Sequence, residues 1–425
     1  MLVLFGSTSS LGGGCGGAVP TDGGADVTTD QPRPKDAAVD AGPCGRAGYV
    51  LDDTYDSRCG FCYASAPEYL PPPIQWEPCS ANAFPSGVVC QQMKRTWPIS
   101  TWQVGQYFEG GAKGYLDGTG HAVLAFGIAS DTTFQEVVAE ADGATLTTLL
   151  ELSPGTCSTV TKDARDGFFA VHVYAASPIH TGSLGGSVTD LHPHAYSASW
   201  GAYRASALGL LEWAGNTFNL YDWNTGIGQP LVQGSQSLYI SHPVMTSSAV
   251  FFEASTSTTL REQVWSADAG VQDLISYGAD PSQGAGSLGT DGHDLVWTHG
   301  SNRDGGTGPY PVDEIVTSPY ATTASALQAR RLDSEGSCGL ESDEYIVGCG
   351  YAVHPTCAYL PSVGLRVVRI ADGRSWPLVS NNGPFAYVSP IAITCDELFA
   401  TISENNVADI VRVKLASLGP GDPAN

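Results

Sequence analysis

Positive charge is scarce in this chain. Of 425 residues, 19 are Lys or Arg and 43 are Asp or Glu, leaving a formal net charge of −24. Such a surface repels phosphate backbones, which argues against nucleic acid as a partner. Long apolar runs are missing as well. No stretch of about eighteen apolar residues occurs, so the sequence offers no candidate transmembrane helix. Motif-borne chemistry is the third absence. No G-x-S-x-G, H-E-x-x-H, P-loop or helix-opening G-x-G-x-x-G stands in a usable context. What remains is ample apolar material, 42% of the chain, with only 15% charged residues. That is enough to bury a large core.

The apolar material is periodic. Thr290-Asp291-Gly292-His293-Asp294-Leu295-Val296-Trp297-Thr298 reads as a tight Asp-Gly turn opening a short apolar strand. Degenerate copies are anchored at Leu124, Ala170, Leu210, Phe251, Val296, Ile346 and Phe399. They stand roughly 40–50 residues apart, the period of a propeller repeat with several short strands. We call this strand b. A strand c follows, anchored at Val138, Leu220, Val264, Ile315, Val367 and Ile410, and a turn then leads to an apolar strand d. From each c to the next b the distance stays near ~32 residues, which fits a constant unit of d plus the following strand a. These spacings predict an all-β, seven-bladed β-propeller, with six blades as the alternative count. Blade two is the least regular, and its strand c should fall near Ile179.

The same unit predicts how the ring closes. After Ile410 the chain runs into Leu418-Gly419-Pro420-Gly421-Asp422-Pro423, which cannot serve as a ladder strand. The last blade must therefore borrow one. Counting back from Leu124 points to Ile99-Ser100-Thr101-Trp102-Gln103-Val104, pairing with the strand at Ile410–Leu415. Such closure hides two sheet edges.

Upstream of the ring the composition changes. Residues 1–15 form a short apolar start ending in small residues and Cys15, with no Lys or Arg nearby. This leader resembles the end of a bacterial lipoprotein signal, which implies lipidation of Cys15 and a place in the bacterial cell envelope, at the outer membrane or in the periplasm. Residues 16–43 are rich in Gly, Ala, Asp, Thr and Pro and hold no aromatic side chain, the composition of a flexible tether. Residues 44–97 are dense in cysteine, and residues 98–425 should hold the propeller. With Cys15 set aside, ten cysteines remain: Cys44, Cys59, Cys62, Cys79, Cys90, Cys157, Cys338, Cys349, Cys357 and Cys395. An even number in an exported chain suits disulfides. Five fall in the cysteine-rich segment, so one should reach out, to Cys157. The last four should pair among themselves and tie long b–c loops in blades six and seven. Cys59-Gly60-Phe61-Cys62 is a lone C-x-x-C, better read as disulfide cysteines than as a redox pair or half a zinc site.

Three features carry a chemical suggestion. Asp190-Leu191-His192-Pro193-His194, with His180 nearby, sets two imidazoles on one face of an extended segment, where they could share a metal. Solvated loop histidines are the plainer reading. Asn302-Arg303-Asp304-Gly305-Gly306-Thr307-Gly308 is an oxygen-rich loop open to calcium, or simply a flexible connection. The pairs Asp313-Glu314, Asp343-Glu344 and Asp396-Glu397 sit at strand starts, where charges face water. No cofactor is expected, with a divalent calcium or zinc ion as the alternative.

The unit His242-Pro243, Ala249-Val250-Phe251-Phe252-Glu253, Glu262-Gln263-Val264-Trp265-Ser266-Ala267-Asp268-Ala269-Gly270 and Leu274-Ile275 resembles the TolB-type repeats of bacterial propellers. That resemblance spans about residues 98–415. It implies binding of a protein or glycan at the surface or in the periplasm, and it fixes no catalytic residue. We therefore expect a monomeric, lipid-anchored binding module that uses its d–a and b–c loops. The competing expectation is a metal-dependent glycan lyase or hydrolase at the axial mouth.

Overall fold

Each repeat folds locally into an antiparallel ribbon of three or four strands, and the ribbons arrange as the seven blades of a propeller in this computed structural model. The structure describes residues 73–79, 84–94, 113–116, 120–129, 134–143, 145–152, 160–173, 179–182, 184, 189–191, 202–276, 285–301, 312–337, 346–357, 363–379, 387–404 and 407–423. The innermost strands a are Lys113–Leu116, Val160–Arg165, Ala202–Ser206, Tyr239–Met245, Ala285–Thr290, Ile346–Gly348 and Tyr387–Ile393. Each touches the next, and the last touches the first, so they ring a central channel. Blade two has its third strand at Ile179–Gly182, as its weak pattern suggested.

Two-residue periodicity explains why the repeats read as continuous apolar runs. Along Ala249–Ser255 alternate side chains leave opposite faces of the sheet. Val250, Phe252 and Ala254 pack toward blade three, against Leu211 and Phe218. Phe251 packs toward blade five, against Leu295 and Trp297. Both faces are dry, so Phe251 and Phe252 are fully buried, each contributing up to about 3 kcal/mol. The rings of Phe218 and Phe252 meet edge-on at 5.4 Å.

The chain closes its ring at both ends, but with a different strand from the one expected. Cys90–Met93 pairs with Val407–Lys414, setting Cys90 opposite Val413 and Gln92 opposite Val411. Trp76–Pro78 adds a fifth strand outside it. The position assigned above to Ile99–Val104, which itself lies outside the described residues, is thus occupied by Cys90–Met93, and the last blade takes in residues upstream of 98. The count assumed a constant connection from strand d to strand a. At the seam that connection is longer, running from Lys94 to Lys113. A second correction concerns blade six. Ile346 lies on its strand a, and strand b is Tyr351–Cys357. Ile346-Val347 before the turn is as apolar as Ala352-Val353 after it, so periodicity alone does not tell the inner strand from its neighbour.

Side chains lock the seam. Trp76 Nε1 donates to Ala141 O of blade one at 2.7 Å. The Arg412 guanidinium lies 4.6 Å over the Trp76 ring and donates to Gln91 Oε1 at 2.8 Å. Met93 is fully buried with Leu124 and Phe126 of blade one. Gly114 lets blades one and seven approach: a Cβ there would lie 2.8 Å from Ala392 Cβ and 2.9 Å from Ile391 Cγ2. Cys79 pairs with Cys90, and Cys349 with Cys395. The second bridge joins the a–b turns of blades six and seven, and not the b–c loops proposed from sequence.

Because the Gly114 contact is against ordinary side-chain carbon, Gly114→Val should overpack the seam and cost about 1–3 kcal/mol. Urea denaturation should show the lower midpoint with an unchanged slope.

Candidate functional site

The channel holds a cavity of about 170 Å³ at the rim formed by the a–b turns. Antiparallel connection places the b–c and d–a loops at the other rim, where the sequence reading set the binding surface. One wall is lined by Ile346 and Val347 of blade six, both half-buried, and by Ile391, Ala392 and Ile393 of blade seven, which are only 2–4% exposed. The other wall is polar, with Arg165 and Asp166 of blade two, Thr246 and Ser247 of blade four, and Thr290 and Asp291 of blade five.

Much of that polar wall is committed to building its own turns. Asp291 Oδ1 accepts the amides of His293 and Asp294, each at 2.9 Å. Thr290 Oγ1 donates to Asp294 O at 2.7 Å. Burial, reinforced by Asp291, raises the Asp294 carboxyl above the ordinary aspartate range. Asp166 adopts φ 53° and Gly167 φ 80°, the left-handed pair that a two-residue hairpin turn requires. Arg165 reaches across blades to donate to Met245 O at 2.6 Å. Burial lowers its pKa, while Asp163 and Asp166 oppose that shift. Arginine starts so high that it stays charged. Asp163 in turn accepts Ala205 N at 2.7 Å, fixing blade two to blade three. Ser247 is exposed at the cavity mouth.

Only some of the residues singled out from sequence fall among the described ones. His180 stands on the third strand of blade two, opposite Val171 and Asp190, with two strands between it and the axis. His192, His194, the loop 302–308 and the pair Asp343-Glu344 lie outside the described residues, as do Cys15, Cys44, Cys59, Cys62, Cys157 and Cys338. Cys357 ends a strand of blade six. Glu314 sits 3.8 Å from Arg331, and Glu397 3.6 Å from Arg412. Among the described residues no group of three His, Cys, Asp or Glu could hold a metal ion.

A polar cluster in blade four was missed. Glu253 and Glu262 are direct cross-strand partners, and Glu262 is only 3% exposed. Glu253 lies 3.7 Å from His242 Nδ1 and accepts from Ser241 Oγ at 3.4 Å. His242 has φ 49° at a bulge in the inner strand, and its ring lies 6.0 Å from Trp213 of blade three. Once strands b and c are assigned, hairpin register alone places Glu253 opposite Glu262, so that signal was present in the sequence. The bulge was not.

Taken together, the strands define a seven-bladed β-propeller with an amphiphilic axial cavity. Comparison with solved structures agrees on the fold. An oligogalacturonate lyase in complex with manganese matches with a TM-score of 0.53 and 13% identity, over 81% of this chain and 96% of that one. The polysaccharide lyase Uly1 matches at 0.43 and 9% identity, over 69% and 88%. TolB from Acinetobacter baumannii matches at 0.32 and 10% identity, over 68% and 61%. At these identities the likeness shows the fold alone, and the two lower scores carry no argument. In sequence, neither a protein-family model nor a curated protein matches the chain.

Glu262 makes a pH prediction. Burial first, and Glu253 second, push its carboxyl well above the ordinary glutamate range. The folded protein then holds this proton at pH values where the unfolded chain has released it. Stability should be greatest below the ordinary glutamate pKa and fall as pH rises toward the raised folded value. Glu262→Gln should remove that downward slope, measured as urea midpoints across a pH series.

Proposed function

We propose that this chain is an exported binding propeller that receives part of a protein ligand in its axial cavity. The observation that carries the reading is the two-sided channel: an aliphatic wall from blades six and seven facing a polar wall around Arg165. A cavity of about 170 Å³ is smaller than the ~300–1,000 Å³ of sites that engulf a whole small molecule. It suits one projecting group. The aliphatic wall favours a branched apolar side chain over a sugar ring, whose hydroxyls would lose water there without partners. Disulfides in the ring fit an oxidising compartment. The TolB-like repeat pattern supports the same class of protein, acting as a monomer held by lipid at Cys15.

A glycan ligand, or glycan lyase chemistry as in the oligogalacturonate lyase that shares the fold, is the second reading. The placement of His180 two strands from the axis counts against the histidine-based version of that enzyme.

Ser247 offers a direct test, since it is exposed and its hydroxyl builds no part of the core. Ser247→Trp should fill the cavity mouth and cut recovery of the ligand from a cell-envelope extract about tenfold, or roughly 1.4 kcal/mol, with thermal stability unchanged. Equal recovery by both forms would rule the cavity out. Cys15→Ser should move the protein from the membrane to the soluble fraction.

A further inference from the structure

Both disulfides found among the described residues involve blade seven. Cys79–Cys90 ties together the two strands lent by the N-terminal side. Cys349–Cys395 ties the a–b turn of blade six to that of blade seven. Among the described residues, this blade alone is assembled from distant parts of the chain. Gln91 and Arg412, which meet across its ladder, are 321 residues apart in sequence.

Such a closure is entropically demanding, because the loop it shuts is nearly the whole protein. The closing strand is short, four residues at Cys90–Met93, and the strand outside it has three. An isolated pair of that size is marginal in water. The Cys79–Cys90 bridge keeps the pair formed before docking, and its half-buried sulfurs pack with Phe84 and Val88 against Leu398 and Val413. At the other bridge, Cys349 adopts φ 52° and Gly350 φ 77°. Asn, Asp or Gly would suit the first of those turn positions better. Cysteine there is explained by its partner. Cys349 and Cys395 are exposed, so a small reductant can reach them.

We infer that oxidation of these two bridges gates closure of the ring. With both reduced, blade seven parts from blade one, and the cavity loses the wall of Ile391, Ala392 and Ile393. A dithiol reductant supplies two electrons and two protons to each bridge, yields two thiols, and leaves as a cyclic disulfide. Closure reverses this with a disulfide oxidant as the electron acceptor. The cavity is then complete only where thiols are oxidised. This inference rests on the fold and the cavity, and it holds whatever the ligand is.

The test uses the full chain with Cys79→Ser/Cys90→Ser, with Cys349→Asn/Cys395→Ser, and with all four substitutions. Asn suits the turn at 349, so a loss there reports the bridge and not the turn. Hydrogen exchange is then followed blade by blade. In the four-substituted protein, exchange in 90–93 and 387–414 should quicken at least about tenfold, while 202–276 in blades three and four stays within about twofold. Reduction of the native protein by a dithiol should give the same pattern, and reoxidation should restore protection. If the four-substituted protein does not fold, the reduction experiment on native protein decides the matter. Unchanged protection in blade seven overturns the inference, as does equal loss in every blade.

Discussion

A β-sheet with free edges is a liability, and a propeller escapes it only by closing. In this molecule closure rests on one antiparallel ladder between Cys90–Met93 and Val407–Lys414. Its supports are local and specific. Trp76 spans to blade one through Ala141 O, and Arg412 lies over the same indole ring. Gly143, with φ 74°, leaves room for Ile74 O where any Cβ would collide. The channel, its cavity and the order of the blades all presuppose this seam.

Charge is used sparingly, and some of the buried contacts cross from one blade to the next. Asp163 holds the amide of Ala205, and Arg165 holds the carbonyl of Met245. Asp333 of blade five pairs with Arg366 of blade six at 2.8 Å, both buried. Glu212 accepts from Tyr221 OH at 2.8 Å and Asn219 Nδ2 at 3.0 Å, and burial together with that carboxylate raises the Tyr221 pKa. Buried ionic contacts of this kind add little net stability, but breaking one partner leaves a stranded charge. They set how each blade sits on the next more than how tightly. Glu262 is different. It faces another carboxylate, Glu253, and burial together with that neighbour raises its pKa.

The site inherits its character from the ring. Inner strands present alternate contributions from successive blades, so one wall of the cavity can be aliphatic while the other is polar. No single repeat contains such a surface. The aliphatic half comes from blades six and seven, the region that the chain can complete only after its two ends have met. The cavity lining and the seam therefore share residues, Ile391 and Ala392.

Much of the architecture was legible in the amino-acid order. Apolar runs at a steady spacing identified the blades, because a strand buried on both faces needs apolar residues at every position. Asp-Gly pairs marked turns, because only certain residues tolerate positive φ. Three things were not legible for want of a local signal. The closing strand depends on the length of a seam connection that no repeat constrains. Ile346 and Val353 are equally apolar, and only pairing across blade six tells inner from second strand. His180 could not be placed relative to the axis until its strand's rank in the sheet was known. Repeat number and strand pattern were thus determined by sequence alone, through side-chain periodicity and turn chemistry. Which end closes the ring, which walls meet in the channel and which carboxylate is buried against another were decided by tertiary structure, because each depends on residues brought together from different blades.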